Sequence, residues 1–313
     1  MTSCDGGYVL GACGLVRSIR RFYGLSVDII VVFSGPVVGW FRVFCREMGV
    51  IFLVGEEMGG WVLPFVYGGV GFSDNVLHSH HPGFFVRDGW PSLGDQGGLR
   101  RGFGELFDFH PFVVKAYGVG FALFGGYDRV VMIDCDAFLL SDIDVLFLEH
   151  GGVNKVVCFS DGPERLAGME LLGFKGLSPV LEPGFCFNNG VVVFCNGVGV
   201  RRLILDYMFF IGSPYHFRFC GYVDQGLMRC LVAGYHVRGD VDFVMLPCEN
   251  WNPVWGRADR LVLRGGEWFN RGNGLKQFIW HGAGGHEKIW RKPYFSNCIN
   301  EAWAWVGGEV EYK

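Results

Sequence analysis

Asp134 and Asp136 stand two residues apart, directly after the apolar run Val130–Ile133, which reads as a strand inside a sheet. Side chains two apart on an extended segment point the same way, so both carboxylates can reach one cation. Ligands of open α/β sheets bind beyond the carboxyl ends of the strands. A hard cation with open positions could there hold a diphosphate and offset its charge as a leaving group. The same spacing recurs at Asp142 and Asp144, so the pattern alone is weak and the strand context gives it weight. Two like charges at the end of a core strand repel unless a cation or a proton intervenes.

Two further segments carry reactive chemistry. In the stretch from Trp280 to Trp290, His281 offers a neutral imidazole that could complete a metal shell. Its glycines would let backbone approach phosphate, and Lys288 could neutralise it. A glycine-rich turn in a glycine-rich chain is the plainer reading of that stretch. Asp224-Gln225 opens an expected helix. There Asp224 is placed either as an N-cap or as an acceptor for sugar hydroxyls. The cluster His78-Ser79-His80-His81 has metal-ligating residues, but no regular pattern fixes its geometry, and a surface loop is the expectation.

The elements that must position these groups alternate. Tyr8–Phe22 reads as a helix with Ala12, Leu15 and Ile19 on one face, Ile29–Phe33 as a strand, Val37–Met48 as a helix and Val50–Val54 as a strand. Pro111–Phe124, carrying Lys115, is a predicted helix before the strand Arg129–Ile133. Lys155–Phe159 and Val191–Phe194 are further strands, and Val200–Phe210 and Gln225–Val232 further helices. This alternation predicts an α/β fold with a Rossmann-like, mainly parallel sheet flanked by helices. The first strand is expected to be short or absent, since few residues precede Asp5. The pattern is lost over residues 59–110, an expected insertion, and the part from Trp251 on is loop-rich and aromatic. We expect one domain over residues 1–313.

Composition narrows the classes. A chain of 313 residues that is 50% hydrophobic can bury a large core. Its net charge of −4 argues against a nucleic-acid partner. No run approaches the ~20 apolar residues of a membrane span, so a cytoplasmic protein is expected. The 11 cysteines show no C-x-x-C pair, which suggests free thiols in a reduced compartment. With 50 glycines, the oxidoreductase pattern at Gly118-x-Gly120 has little value.

In order along the chain, several motifs resemble glycosyltransferase family 8, the glycogenin-like retaining group. They are Tyr8-x-x-Gly11-Ala12-x-x-Leu15-x-x-Ser18-Ile19-Arg20, Asp134-Cys135-Asp136 with Leu140 to Phe147, Phe187-Asn188-Asn189-Gly190-Val191, Asp224-Gln225-Gly226-Leu227 and His281 to Trp290. The resemblance implies a GT-A fold and transfer of a hexose or related sugar from a nucleotide-sugar donor, usually a UDP-sugar, to a hydroxyl acceptor. It also implies Asp134, Asp136 and His281 as ligands of manganese, with magnesium the alternative ion. Asp5 and Tyr8 would contact the nucleotide, and Gly284 and Lys288 the diphosphate. Asn188, Asn189 and Lys115 would contact the donor, with Asp224 and Gln225 acting at the sugar, Gln225 nearest the anomeric carbon. The acceptor, whether glycan, protein or small molecule, and a homo-oligomeric state stay open. The alternatives are a nucleotide-sugar nucleotidyltransferase, which would carry a basic loop where Asp5-Gly6-Gly7-Tyr8 stands, and a non-catalytic binding protein on the same scaffold.

Overall fold

Short apolar runs without a polar break are strands buried on both faces, and such runs form the centre of this molecule. The computed structural model describes residues 1–55, 111–160, 187–211, 223–251, 261–282, 289–290 and 297–309. Strand β1 (Thr2–Cys4) leads into helix α1 (Val9–Tyr23), followed by β2 (Ile29–Phe33), α2 (Gly39–Glu47) and β3 (Val50–Val54). The three strands pair in parallel in the order β1-β2-β3.

The chain then runs through α3 (Pro111–Phe124), β4 (Arg129–Ile133), β5 (Ala137–Leu139), α4 (Asp144–His150) and β6 (Lys155–Ser160). Next come β7 (Phe187–Cys195), α5 (Val198–Ile211), α6 (Val223–Val237), β8 (Asp242–Leu246) and the single turn α7 (Cys248–Trp251). Strands β4, β7, β6 and β8 form a second sheet in that order. Here β8 runs parallel to β6, whereas β7 is antiparallel to both its neighbours. Met1 joins the two sheets: its amine donates to Val131 O at 2.7 Å, and its carbonyl accepts from Ile133 N at 3.0 Å. The first strand is therefore present, short, and flush against β4.

Alternate residues of each central strand serve opposite faces. Val156 and Cys158 pack with Val113–Leu123 of α3 and with α5 and α6. Val157 and Phe159 instead face Leu15, Leu146 and Ile279. The part after Trp251 contains β9 (Leu261–Arg264) and β10 (Glu267–Asn270), an antiparallel hairpin, then β11 (Ile279–His281) and α8 (Asn297–Trp305). Trp268, Trp280, Trp290 and Trp303 are buried with Phe138, Leu140 and Ile299 in one apolar cluster.

Gly118 and Gly120 lie inside α3 rather than in a loop, which removes any reading of them as a phosphate-binding turn. Cys4, Cys13, Cys45, Cys158 and Cys195 are buried free thiols. Burial pushes the Cys13 and Cys45 thiols up to about 12, so they stay protonated at neutral pH. Among the described residues no helix is long and apolar enough to cross a membrane. The 78–81 histidine cluster lies outside the described residues.

Candidate active site

The turn after β4 is set by the backbone. Asp134 N donates to Gly190 O at 2.7 Å, and Ala137 N closes a turn onto Asp134 O at 3.0 Å. The chain then enters β5, which pairs antiparallel with β11 so that Ala137 lies opposite His281. Gly282 N extends this pairing to Asp136 O at 2.9 Å. A residue from late in the chain is thereby placed beside the acidic pair. His281 Nε2 stands 3.3 Å from Asp136 Oδ1 and 3.7 Å from Asp134 Oδ2. One ligand atom from each of the three residues lies within 4.8 Å of the others. Gly190 makes room for this: a Cβ there would overlap the His281 ring.

The antiparallel course of β7 supplies the other half of the site. Val191 pairs with Ile133, so Phe187–Gly190 continues past the end of β4 and lies alongside Asp134. Asn188 Oδ1 accepts from Gly190 N at 2.7 Å, which fixes the amide. Gln225 Oε1 accepts from Asn189 N at 3.2 Å and from Asn188 Nδ2 at 3.4 Å. Asn189 Nδ2 donates to Asp224 Oδ2 at 2.9 Å and reaches Tyr207 OH at 3.4 Å. Asp224 lies in the first turn of α6, and its carboxylate faces Lys115 and Asn189. That differs from the N-cap alternative, because α6 already begins at Val223.

Lys115 reaches across from α3. Its ammonium lies 2.6 Å from Asp134 Oδ1 and 3.3 Å from Asp224 Oδ2, and it donates to Asn189 O at 2.8 Å. Burial alone would lower the Lys115 ammonium, but the carboxylates of Asp134 and Asp224 outweigh it and hold it above its ordinary value. Burial raises the Asp134 carboxyl, Lys115 pulls it back, and Asp136 pushes it up again; the net direction is upward. About a third of the Asp134 side chain, 32%, nevertheless stays accessible.

This donor set fits a divalent cation. Two carboxylates and one imidazole converge from one side, leaving further positions for ligand oxygens. Asn189 Oδ1 is buried with no hydrogen-bond partner among the described residues, an acceptor still open to a hydroxyl or a water.

The first βα turn borders the same turn of chain. Asp5 Oδ1 accepts from Gly7 N at 2.8 Å, and Asp5 O accepts from Tyr8 N at 3.0 Å. Tyr8 meets Trp290 edge-on, with ring centroids 5.8 Å apart. Gly11 lies flat against Cys135 O and the Trp290 ring, where a Cβ would clash with both. Ser18, buried in α1, accepts from Leu139 N at 3.0 Å and donates to Leu15 O at 2.7 Å, locking β5 to the helix.

The sequence matches no family model and no curated protein. Solved structures do match. The bifunctional glycosyltransferase WbbM is similar over 97% of this chain at 17% identity and a TM-score of 0.52, and the chain spans 49% of WbbM, about half its length. The galactosyltransferase LgtC, solved with donor and acceptor sugar analogues, is similar over 100% of this chain and 96% of its own, at 13% identity and a TM-score of 0.51. The glycosyltransferase GlyE of Streptococcus pneumoniae TIGR4 covers 97% of this chain and 61% of its own, at 15% identity and a TM-score of 0.51. The chain has the GT-A glycosyltransferase fold.

On this GT-A scaffold the sequence-predicted residues separate into groups. Asp134, Asp136 and His281 converge. Asn188, Asn189, Asp224, Gln225 and Lys115 form one hydrogen-bonded network that meets them at Asp134. Asp5 and Tyr8 border the other side of the turn through Gly11 and Trp290. Gly284 and Lys288 lie outside the described residues. Asp142 and Asp144, with the same spacing as the acidic pair, are not in the cluster; Asp144 opens α4. Sequence reasoning missed Tyr207 and the packing role of Gly190. No local signal marks Tyr207, whose place beside Asn189 depends on how α5 docks on β7.

Proposed function

We propose that this protein is a metal-dependent, retaining glycosyltransferase of the family 8 type, moving a hexose or related sugar from a UDP-sugar to a hydroxyl acceptor. The observation that carries the reading is the Asp134–Asp136–His281 trio beside the Asp224–Gln225–Asn189 network at the carboxyl end of β4 and β7, on a GT-A fold. The motif resemblance to family 8 supports it independently of the fold.

Asp134, Asp136 and His281 would hold the ion, manganese on this reading with magnesium the alternative. When bound there, a divalent cation supplies positive charge against the diphosphate of the leaving group. Asp5 and Tyr8 would hold the nucleotide, and Gly284 and Lys288 the diphosphate. Asn188, Asn189 and Asp224 would orient the donor sugar, with the open Asn189 Oδ1 accepting from a sugar hydroxyl. Gln225, whose Oε1 is held by two amide donors, would lie nearest the anomeric carbon. An LgtC variant described as an active-site mutant likewise exchanges a glutamine for glutamate.

Retention needs either a covalent glycosyl-enzyme or a front-face departure and attack. We favour the front-face route. Asp224 Oδ2 is already engaged by Lys115 and by Asn189, which suits orientation better than nucleophilic attack. The protein's contribution is then mainly positioning and electrostatic stabilisation of the leaving group. Trapping a glycosyl adduct on Asp224 would overturn this route.

The deciding test measures binding and hydrolysis of UDP- and GDP-sugars with and without manganese, comparing wild type with Asp136→Ala. Manganese-dependent turnover of one donor, lost in the variant, supports the transferase and names the donor. Absence of all donor binding with metal present would instead favour a non-catalytic scaffold.

A further inference from the structure

We infer that Arg229 is a positioning residue, a buried guanidinium that pins the entry of β7 and thereby aligns Asn188 and Asn189 for the donor sugar. The inference rests on the proposed reading of those two asparagines as sugar contacts.

The strand pairing shows why this entry needs an anchor. Along β6, Cys158 pairs with Val192 of β7, yet the next residue, Phe159, pairs with Asn188. Asn189, Gly190 and Val191 are skipped, a bulge in β7. On the other side, the pairing with β4 ends at Ile133 and Val191. The backbone of Asn189 and Gly190 therefore finds its partners in the site rather than in a ladder. Asn189 N donates to Gln225 Oε1 at 3.2 Å, and its carbonyl accepts from Lys115 at 2.8 Å. Gly190 N donates to Asn188 Oδ1 at 2.7 Å, and its carbonyl accepts from Asp134 N at 2.7 Å. Upstream of the bulge, the described part of β7 keeps the pairs Asn188–Phe159 and Phe187–Ser160. That is shorter than an ordinary strand.

Arg229 meets this end. It lies in α6 four residues after Gln225, so the two side chains leave the same face of the helix. Gln225 accepts from Asn189 N, and Arg229 Nε donates to Phe187 O at 2.7 Å. The two bonds straddle Asn188, one on the residue after it and one on the residue before. Arg229 is 5% exposed, and its guanidinium carbon stands 5.9 Å from the centre of the Phe187 ring. A guanidinium stays protonated throughout the working pH range, so this donor is not lost by titration. One helix face holding both flanks of Asn188 fixes where the two asparagine amides point. Asp134, Asp136 and His281 sit on the turn after β4 and on β11, elements that this tie does not join.

Two substitutions separate the bond to Phe187 from the bulk of the side chain. In Arg229→Gln the amide nitrogen follows Cδ as Nε does in arginine, so it can still donate to Phe187 O. In Arg229→Met a methyl group stands at that depth and cannot donate. Both variants lose the guanidinium, so the difference between them isolates the one hydrogen bond.

The experiment compares wild type, Arg229→Gln and Arg229→Met in Mn²⁺-dependent UDP binding by calorimetry, hydrolysis of UDP-sugars, and amide hydrogen exchange of the metal-free protein. UDP has no sugar, so its affinity should stay within about twofold of wild type in both variants. For the UDP-sugar that wild type turns over, kcat/KM should fall by about 10²-fold in Arg229→Met, the scale of a small misplacement at the reacting centre, and recover to within about tenfold of wild type in Arg229→Gln. Exchange at Asn188, Asn189 and Gly190 should be faster in Arg229→Met than in Arg229→Gln, with Ala137 and Gly282 unchanged. Equal kcat/KM in the two variants would overturn the inference, since the bond to Phe187 would then be immaterial. Loss of UDP binding in step with loss of turnover would overturn it in favour of bulk structure. If Arg229→Met does not fold, Arg229→Lys replaces it: its nitrogen lies one atom further out, and activity equal to that of Arg229→Gln would count against the tie. If wild type turns over no UDP-sugar, the proposed function fails, while the exchange comparison still reads the tie; equal exchange in the two variants would sink it.

Discussion

The turn Asp134–Asp136 is held from two sides by unlike materials. On one side Lys115, Asn189 and Asp224 form a polar network with Oδ1 of Asp134. On the other, Gly11, Trp290, Trp280 and Phe138 close on Cys135 and β5 with apolar surface. Each side contains residue types that can hold a sugar, carboxylates and amides on one, tryptophans on the other. The tryptophans of the other side are packed with Phe138, Leu140 and Ile299 in the apolar cluster. Residue type therefore does not assign a binding role; the neighbours do. The polar side should govern chemistry with little effect on folding, and the buried tryptophans of the other side should govern folding with little effect on chemistry.

The largest expected effect lies on the polar side. Asp136→Ala should lower manganese-dependent turnover by about 10³-fold, the scale of losing a main stabiliser of developing charge. Its melting temperature should stay at or above wild type, because one of two crowded carboxylates is gone. A large drop in melting temperature would break the division. Trp303→Ala is the converse case. Trp303 fills the cluster between Gly14 and Phe138, and truncating a buried Trp typically costs about 3–5 kcal/mol. Chemical denaturation should show that loss, with donor affinity of the folded fraction nearly unchanged.

Gly190→Ala tests the seam between the two sides. Its Cβ would overlap the His281 ring, and overpacking of this kind costs roughly 1–3 kcal/mol. Calorimetry should show both lower stability and weaker Mn²⁺ binding, since His281 must move to relieve the clash. Acid should act on the site more gently. Burial raises the Asp134 carboxyl despite Lys115, so protons begin to displace the cation at a pH above the ordinary aspartate range, ~3.9. Titrated Mn²⁺ affinity should fall as pH is lowered through that window. In metal-free protein the sign is opposite. A carboxyl whose folded pKa is raised destabilises the fold when ionised, so this group adds stability as pH falls through its folded pKa. The smallest effect expected is that of Arg21→Ala, which removes a cation stacked 3.8 Å over Trp305 at the protein surface. Thermal unfolding should register only about 0.5–1 kcal/mol.

Much of the frame was legible in the chain. Ile29–Phe33, Val50–Val54 and Arg129–Ile133 are apolar runs whose length and composition admit little but a buried strand, and each was found with the expected bounds. Pro111–Phe124 was equally plain, with Pro at a position where a helix tolerates it. The acidic pair could be read because local geometry suffices: two residues on extended backbone share a side wherever the strand lies. Strand direction could not be read. Val191–Val193 is apolar in either sense, and only its pairing with β4 and β6 made β7 antiparallel and put Asn188 and Asn189 beside Asp134.

What the sequence determined by itself was the set of local answers: which runs are strands and helices, and which residues could hold a cation or a sugar. Those follow from side-chain periodicity and from chemistry that each residue carries with it. The tertiary structure alone decided which of those residues meet. His281 reaches Asp136 because β11 pairs with β5, Lys115 reaches Asp224 because α3 and α6 pack on one face of the sheet, and Trp268, Trp280, Trp290 and Trp303 became core by packing with Phe138, Leu140 and Ile299. Contacts between distant segments follow from the burial of the whole chain, and no local pattern encodes them.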